Sequence, residues 1–224
     1  MMLQNQNVLI TGGNGILGLA AAICAKEQGA NVFLLDQEFA VATHAEFACH
    51  RVDLADTKSV AQMVAKLPPM DALFNIAGGF AMGATCYQTD DTQWNNMFQR
   101  NVVTLRSTIQ AVVPGMKDRN AGSIVNVGAL SALHGVAGMG AYTASKAVVM
   151  NLTESLAAEL APSGIRVNAV LPSIIDTPAN RAAMPLANPK EWVRPGDIAN
   201  VMCFLASTLS RSIQGALIPV TGNA

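Results

Sequence analysis

The stretch VLITGGNGILGLAAAIC, residues 8–24, constrains the fold of this chain more than any other. An apolar run with strand character ends at Thr11, glycines follow at positions 12, 13, 15 and 18, and an apolar helical pattern begins at once. Glycines in that setting permit a tight turn, a close approach of backbone to a ligand, and close packing of helix on strand. The N–H groups that open the helix then face an anion, as in dinucleotide-binding βαβ units. No Lys-Ser or Lys-Thr follows, which argues against a nucleoside-triphosphate loop. Gly12, Asn14, Gly15, Ile16, Leu17 and Gly18 are therefore expected along a pyrophosphate.

The same alternation continues along the chain. Strands are expected at Asn7–Thr11, Asn31–Asp36, Phe47–Val52, Ala72–Asn75, Ser123–Val127, Ile165–Leu171 and Ala216–Val220. Helices are expected at Ile16–Gln28, Thr57–Ala65, Thr92–Val113, Tyr142–Leu160 and Pro195–Ser207. Runs such as VFLL and SIVNV do not alternate with polar residues, so both faces of the sheet should be covered. The expectation is an α/β fold: one doubly wound Rossmann-type domain over residues 1–224, with a seven-stranded parallel sheet and helices on both faces. The proline-punctuated segment 176–195 is long for a connection and reads as a substrate loop or lid.

Composition narrows the partners. A net charge of −1 without a basic block gives nucleic acid or an anionic membrane nothing to hold. The apolar run from Gly15 to Ala25 is too short to span a bilayer and reads as a buried helix of a cytoplasmic protein. Cys24, Cys49, Cys86 and Cys203 form no CxxC pair, and His44, His50 and His134 have no ligand spacing, so no metal is expected. Hydrophobic residues make up 51% and charged ones 13%, which suggests surface covered by further copies of the chain, as a homodimer or homotetramer.

Two further features point to chemistry. Asp36 ends the second strand, eighteen residues beyond Gly18. A carboxylate there accepts hydrogen bonds from ribose hydroxyls and repels a 2′-phosphate, which favours NAD(H) over NADP(H). Tyr142 and Lys146 stand four residues apart on one face of a helix. An ammonium ~4 Å from a phenol is worth about 4 kcal/mol at an effective dielectric of ~20, enough to lower the phenol's pKa by roughly three. The pair is thus expected to supply an acid–base group.

These motifs, together with VDL at Val52–Leu54, NIAGG at Asn75–Gly79, Asn101 in RNVVT, YTASK, LPSIIDTP at 171–178 and GALIPVTG, resemble the short-chain dehydrogenase/reductase family over nearly the whole chain. The resemblance implies an NAD(P)-dependent oxidoreductase acting on a small molecule. It implies that Tyr142 exchanges the proton accompanying hydride transfer, that Lys146 binds the nicotinamide ribose, and that Asn101 holds a water-linked relay to the lysine. Asp53 and Leu54 would flank the adenine, Asn75, Ala77, Gly78 and Pro172 would line the cofactor, and Ile175 and Thr177 would hold the carboxamide.

The chain departs from the family pattern twice. Its turn reads TGxxGxxG, and alanine stands at Ala129, where most members carry a serine that polarises a substrate carbonyl. Both departures, with AGGFAMG at 77–83 and DTPANRAAMP at 176–185, resemble the quinonoid dihydropteridine reductase branch. Two alternatives stand beside that reading: a general carbonyl or alcohol oxidoreductase using Ser131, and a catalytically inactive NAD(H)-sensing or scaffold protein.

Overall fold

The computed structural model describes residues 1–39 and 45–222; His44 falls outside them. The apolar runs pair as seven parallel strands: β1 Asn7–Thr11, β2 Asn31–Asp36, β3 Ala48–Arg51, β4 Ala72–Asn75, β5 Gly122–Val127, β6 Ile165–Pro172 and β7 Leu217–Val220. Their order in the sheet is β3-β2-β1-β4-β5-β6-β7. The helices are α1 Ile16–Glu27, α2 Thr57–Val64, α3 Asp91–Phe98, α4 Thr104–Arg119, α5 Gly140–Leu160, α6 Pro178–Ala183 and α7 Pro195–Ala206. None among the described residues is long and apolar enough to cross a membrane.

Strand side chains alternate between two cores. Val8, Ile10, Leu34 and Phe74 pack with Ala21 and Ala25 of α1 and with Ile198 and Met202 of α7. Leu9, Leu35, Leu73 and Ile124 face the other way, onto Val60 of α2, Leu105 and Ile109 of α4, and Val149 and Ala157 of α5. With both faces buried, the strands need no polar side, which is why the sequence shows runs rather than alternation. The winding reverses between β1 and β4, and a crevice opens there beyond the carboxyl ends of the strands, where ligands of such sheets bind. At the far side Arg166 of β6 donates to the carbonyls of Leu205, Ala206 and Ser207, capping the end of α7.

Two elements differ from expectation. The single helix expected at Thr92–Val113 is α3, a π-helical turn at Gln99–Val103, and α4, which continues through Pro114 to Arg119. Pro114 leaves the Gln110 carbonyl without its helical donor, and because both residues are exposed that carbonyl can turn to water. The segment 176–195 also has more order than its prolines suggested. Pro178 and Pro189 each occupy a first-turn position, opening α6 and a 3-10 turn at Pro189–Glu191.

Candidate active site

The glycine turn between β1 and α1 has no spare room. Gly12 has φ +70°, and a Cβ there would lie 2.8 Å from the Ala77 backbone nitrogen. A Cβ on Gly18 would lie 2.0 Å from the Gly12 carbonyl oxygen. Gly15 caps α1 without a side-chain hydrogen bond. The N–H groups of the first turn, on Ile16, Leu17 and Gly18, therefore stay available to an anion. Asp36 at the end of β2 accepts from the Asn14 backbone N–H at 2.9 Å and from Gln37 N–H at 2.8 Å. Gln37 Nε2 in turn donates to Asp53 at 3.1 Å, and Leu54 beside it is buried. The residues expected at a pyrophosphate, a ribose and an adenine thus lie along one connected edge.

Thr11, which sequence reasoning left as a strand end, organises the neighbouring loop. Its Oγ1 accepts from the N–H groups of Ile76 and Ala77, both at 3.1 Å. Asn75, expected along the cofactor, ends β4. Its side chain is 3% exposed, accepts from Thr108 Oγ1 at 2.7 Å and donates to Asn126 at 2.9 Å. Asn126 passes the chain to Thr153 at 2.9 Å. The amide of Asn75 ties β4 to β5 and to the helices below.

Asn101 sits in the π-helical turn, a distortion frequent at functional sites. Its side chain accepts from Gly79 N–H at 2.8 Å and donates to the Gly79 carbonyl at 3.1 Å and to Ser145 Oγ at 3.0 Å. Ser145 then donates to the Tyr142 carbonyl at 2.8 Å. Ser145 also went unassigned in the sequence, although it stands inside YTASK. A Cβ on Gly78 would lie 2.6 Å from Asn101 Oδ1 and 3.4 Å from Lys146 Nζ. Asn101 and Lys146 therefore converge on the side of Gly78 where a side chain is missing.

Lys146 is 6% exposed, and its Nζ donates to the Val127 carbonyl at 2.8 Å. Burial pushes its pKa down to about 8. Burial also pushes the Tyr142 phenol up to about 12. This corrects the expectation of an acidified phenol: desolvation disfavours both charged forms, and the ammonium is committed to a carbonyl. The Tyr142 ring meets Phe80 edge-on, with centroids 4.9 Å apart and planes at 77°. Ala129 is 4% exposed and packs with Ala132, Met150, Ala169 and Leu171, with Tyr142 and Ala147 against the cluster. At the end of β6, Pro172 leads into a short parallel bridge between Ile175 and Val193, and Thr177 caps α6.

The short chain dehydrogenase family profile matches residues 6–186. The chain belongs to the short-chain dehydrogenase family. It is 33% identical to the 2,3-dihydro-2,3-dihydroxybenzoate dehydrogenase of Escherichia coli, over 100% of this chain and 98% of that protein. It is 31% identical to the short chain dehydrogenase adrF of Penicillium rubens, over 98% and 96%. Among solved structures, a short-chain dehydrogenase/reductase from Burkholderia thailandensis superposes with a TM-score of 0.87 at 30% identity, covering 98% of this chain and 92% of that one. As in that family, the fold is a Rossmann-like single domain of oxidoreductases.

The buried lysine of this dehydrogenase makes stability depend on pH. Its folded pKa of about 8 lies below the ordinary lysine value of 10.5, so between the two the unfolded chain binds more protons and stability rises with pH. Tyr142 acts in the opposite sense only above its ordinary value of 10.0. From pH 7.5 to 9.5 the lysine contributes a gain of about 2 kcal/mol. Urea unfolding at the two pH values should show this gain in the wild type and its loss in Lys146→Met. The same gain in both proteins would put the cause elsewhere.

Proposed function

We propose that this dehydrogenase uses NAD(H), and that Tyr142 donates the proton accompanying hydride transfer to a planar, conjugated substrate of the quinonoid dihydropterin type. The observation that carries the reading is the convergence of Asn101 and Lys146 on Gly78, with Tyr142 one helical turn from Lys146 on α5. The residues present fit a dinucleotide. The uncapped first turn of α1 suits its pyrophosphate, and the Asp36 carboxylate, held by two backbone N–H groups, suits an adenosine ribose without a 2′-phosphate. Bound NADH supplies a hydride to the substrate.

The chain's own residues do the rest. A phenol raised to about 12 stays protonated at neutral pH, which suits a proton donor in the direction of reduction. Lys146 remains mostly cationic below its pKa of about 8 and binds the nicotinamide ribose. Ile175 and Thr177, at the entry to the 176–195 segment, hold the carboxamide, and that segment serves as the lid over the substrate. Reduction of a quinonoid pterin needs a proton donor more than a clamp on a carbonyl. The apolar surroundings of Ala129 and the exposed Phe80 ring beside Tyr142 support such a substrate.

One observation favours ordinary carbonyl chemistry instead: Ser131 is half-buried in the 3-10 turn at Leu130–Leu133, and its hydroxyl is free to polarise a carbonyl. Oxidation of NADH and NADPH with quinonoid dihydropterin, quinones, ketones and alcohols as partners, in wild type and Ser131→Ala, separates the two. The pterin reading expects faster turnover with NADH and no change in Ser131→Ala. Turnover confined to ketones, with a loss of about a hundredfold in Ser131→Ala, would replace it.

A further inference from the structure

Two thiols outside the cleft meet between α1 and α7. Cys24 lies on α1 and Cys203 on α7, in the core that those helices share with one face of the sheet. Cys24 Sγ donates to Asn200 Oδ1 at 3.2 Å, and Cys203 stands one turn further along α7 on the same face. The Cys203 S–H donates to the Cys24 sulfur. Ala21 and Ala25 beside the one thiol, and Ala199 and Ala206 beside the other, are small buried residues that let the two backbones come close. A disulfide needs such closeness, with Cα atoms about 4.4–6.8 Å apart. The thiols are unequal. Cys24 is 8% exposed and borders the exposed Asn200, whereas Cys203 is wholly buried. Accepting from Cys203 holds the Cys24 pKa below the ordinary thiol value, against burial and the Glu27 carboxylate. Donation and burial raise that of Cys203. An accessible thiol with thiolate character, beside a second that can resolve it, is the arrangement that peroxide oxidises reversibly.

From these contacts we infer that Cys24 and Cys203 form an oxidative modification site, closed to a disulfide by a hydroperoxide. The Cys24 thiolate attacks one oxygen of hydrogen peroxide. The O–O bond breaks, and the departing hydroxide takes the Cys24 proton to become water. The Cys203 sulfur then attacks the sulfenic acid on Cys24, giving up its own proton as the S–O bond breaks and a second water leaves. Two thiols are oxidised, and one peroxide is reduced to two waters. The new bond ties α1, which begins at the glycine turn, to α7, which follows the 176–195 segment, and closes most of the chain into one loop.

Peptide mass analysis of the purified protein tests this, after treatment with hydrogen peroxide and blocking of the remaining thiols. The expected product is a pair of peptides linked through Cys24 and Cys203, lighter by the two thiol hydrogens and separated again by dithiothreitol. Dimedone, which traps sulfenic acids, should label Cys24 in Cys203→Ala and leave it unlabelled in the wild type. The oxidised wild type should melt about 5–10 °C above the reduced protein, because the cross-link restricts the unfolded chain. Cys203→Ala should show no such rise. Recovery of both thiols unmodified, dimedone on Cys24 of the wild type as readily as of the variant, or an unchanged melting temperature in the cross-linked protein would overturn the inference.

Discussion

Tyr142→Phe should lose between about a hundredfold and ten-thousandfold in turnover, with NADH affinity unchanged within a factor of about two. The substitution removes one oxygen and leaves the ring, so the edge contact with Phe80 and the packing against Ala129 persist. Only the proton is lost. Stopped-flow reduction with saturating NADH gives the turnover, and quenching of NADH fluorescence gives the affinity. Under the proposed function Tyr142, one helical turn from Lys146 on α5, is the proton donor. Turnover within threefold of wild type would take the phenol out of the chemistry and move the protein towards a role in sensing NAD(H).

Gly18→Ala should weaken NADH binding by about a hundredfold and lower the melting temperature by about 5 °C. The added Cβ would lie 2.0 Å from the Gly12 carbonyl oxygen, 2.8 Å from its carbon and 3.0 Å from Gly13 Cα. These are backbone atoms and cannot swing aside. Gly12 cannot retreat either, since its position at φ +70° already stands against the Ala77 backbone. Overpacking of this kind costs about 1–3 kcal/mol, and the upper end corresponds to the loss of affinity expected here. For a domain of this size about 2–4 °C is lost per kcal/mol. Gly15→Ala is the control, because its Cβ would meet only the Gly12 carbonyl at 3.3 Å and should leave the melting temperature nearly unchanged. Equal melting temperatures for Gly18→Ala and wild type would show that the turn has slack that its contacts do not suggest.

Elements defined by local spacing were legible in the sequence. β1, β2 and β4 begin and end where the apolar runs do, and the other strands differ from them by only one or two residues. The break inside 91–119 was not legible, because its consequence, Asn101 reaching both Gly79 and Ser145, joins residues far apart in the chain. The helix end expected at Val113 directly precedes Pro114. Proline predicts a helix end on local grounds, and exposure of this stretch of α4 lets the helix pass through it. Thr11 and Ser145 are ordinary polar residues in sequence, and what singles them out is a partner far along the chain, the Ile76 and Ala77 N–H groups for one and the Asn101 amide for the other.

By itself the sequence determined the order of strands and helices, the glycine turn, the acid at the end of β2 and the Tyr142–Lys146 spacing. Each of these depends on residues within a few positions of one another. Only the tertiary structure decided that Asn75 serves the interior, that Asn101 and Lys146 share the space beside Gly78, and that Tyr142 is raised in pKa. A side chain's burial, and the partner that takes its last hydrogen bond, are set by elements that meet only when the sheet closes. Desolvation, which raises the Tyr142 pKa, comes into being at that moment.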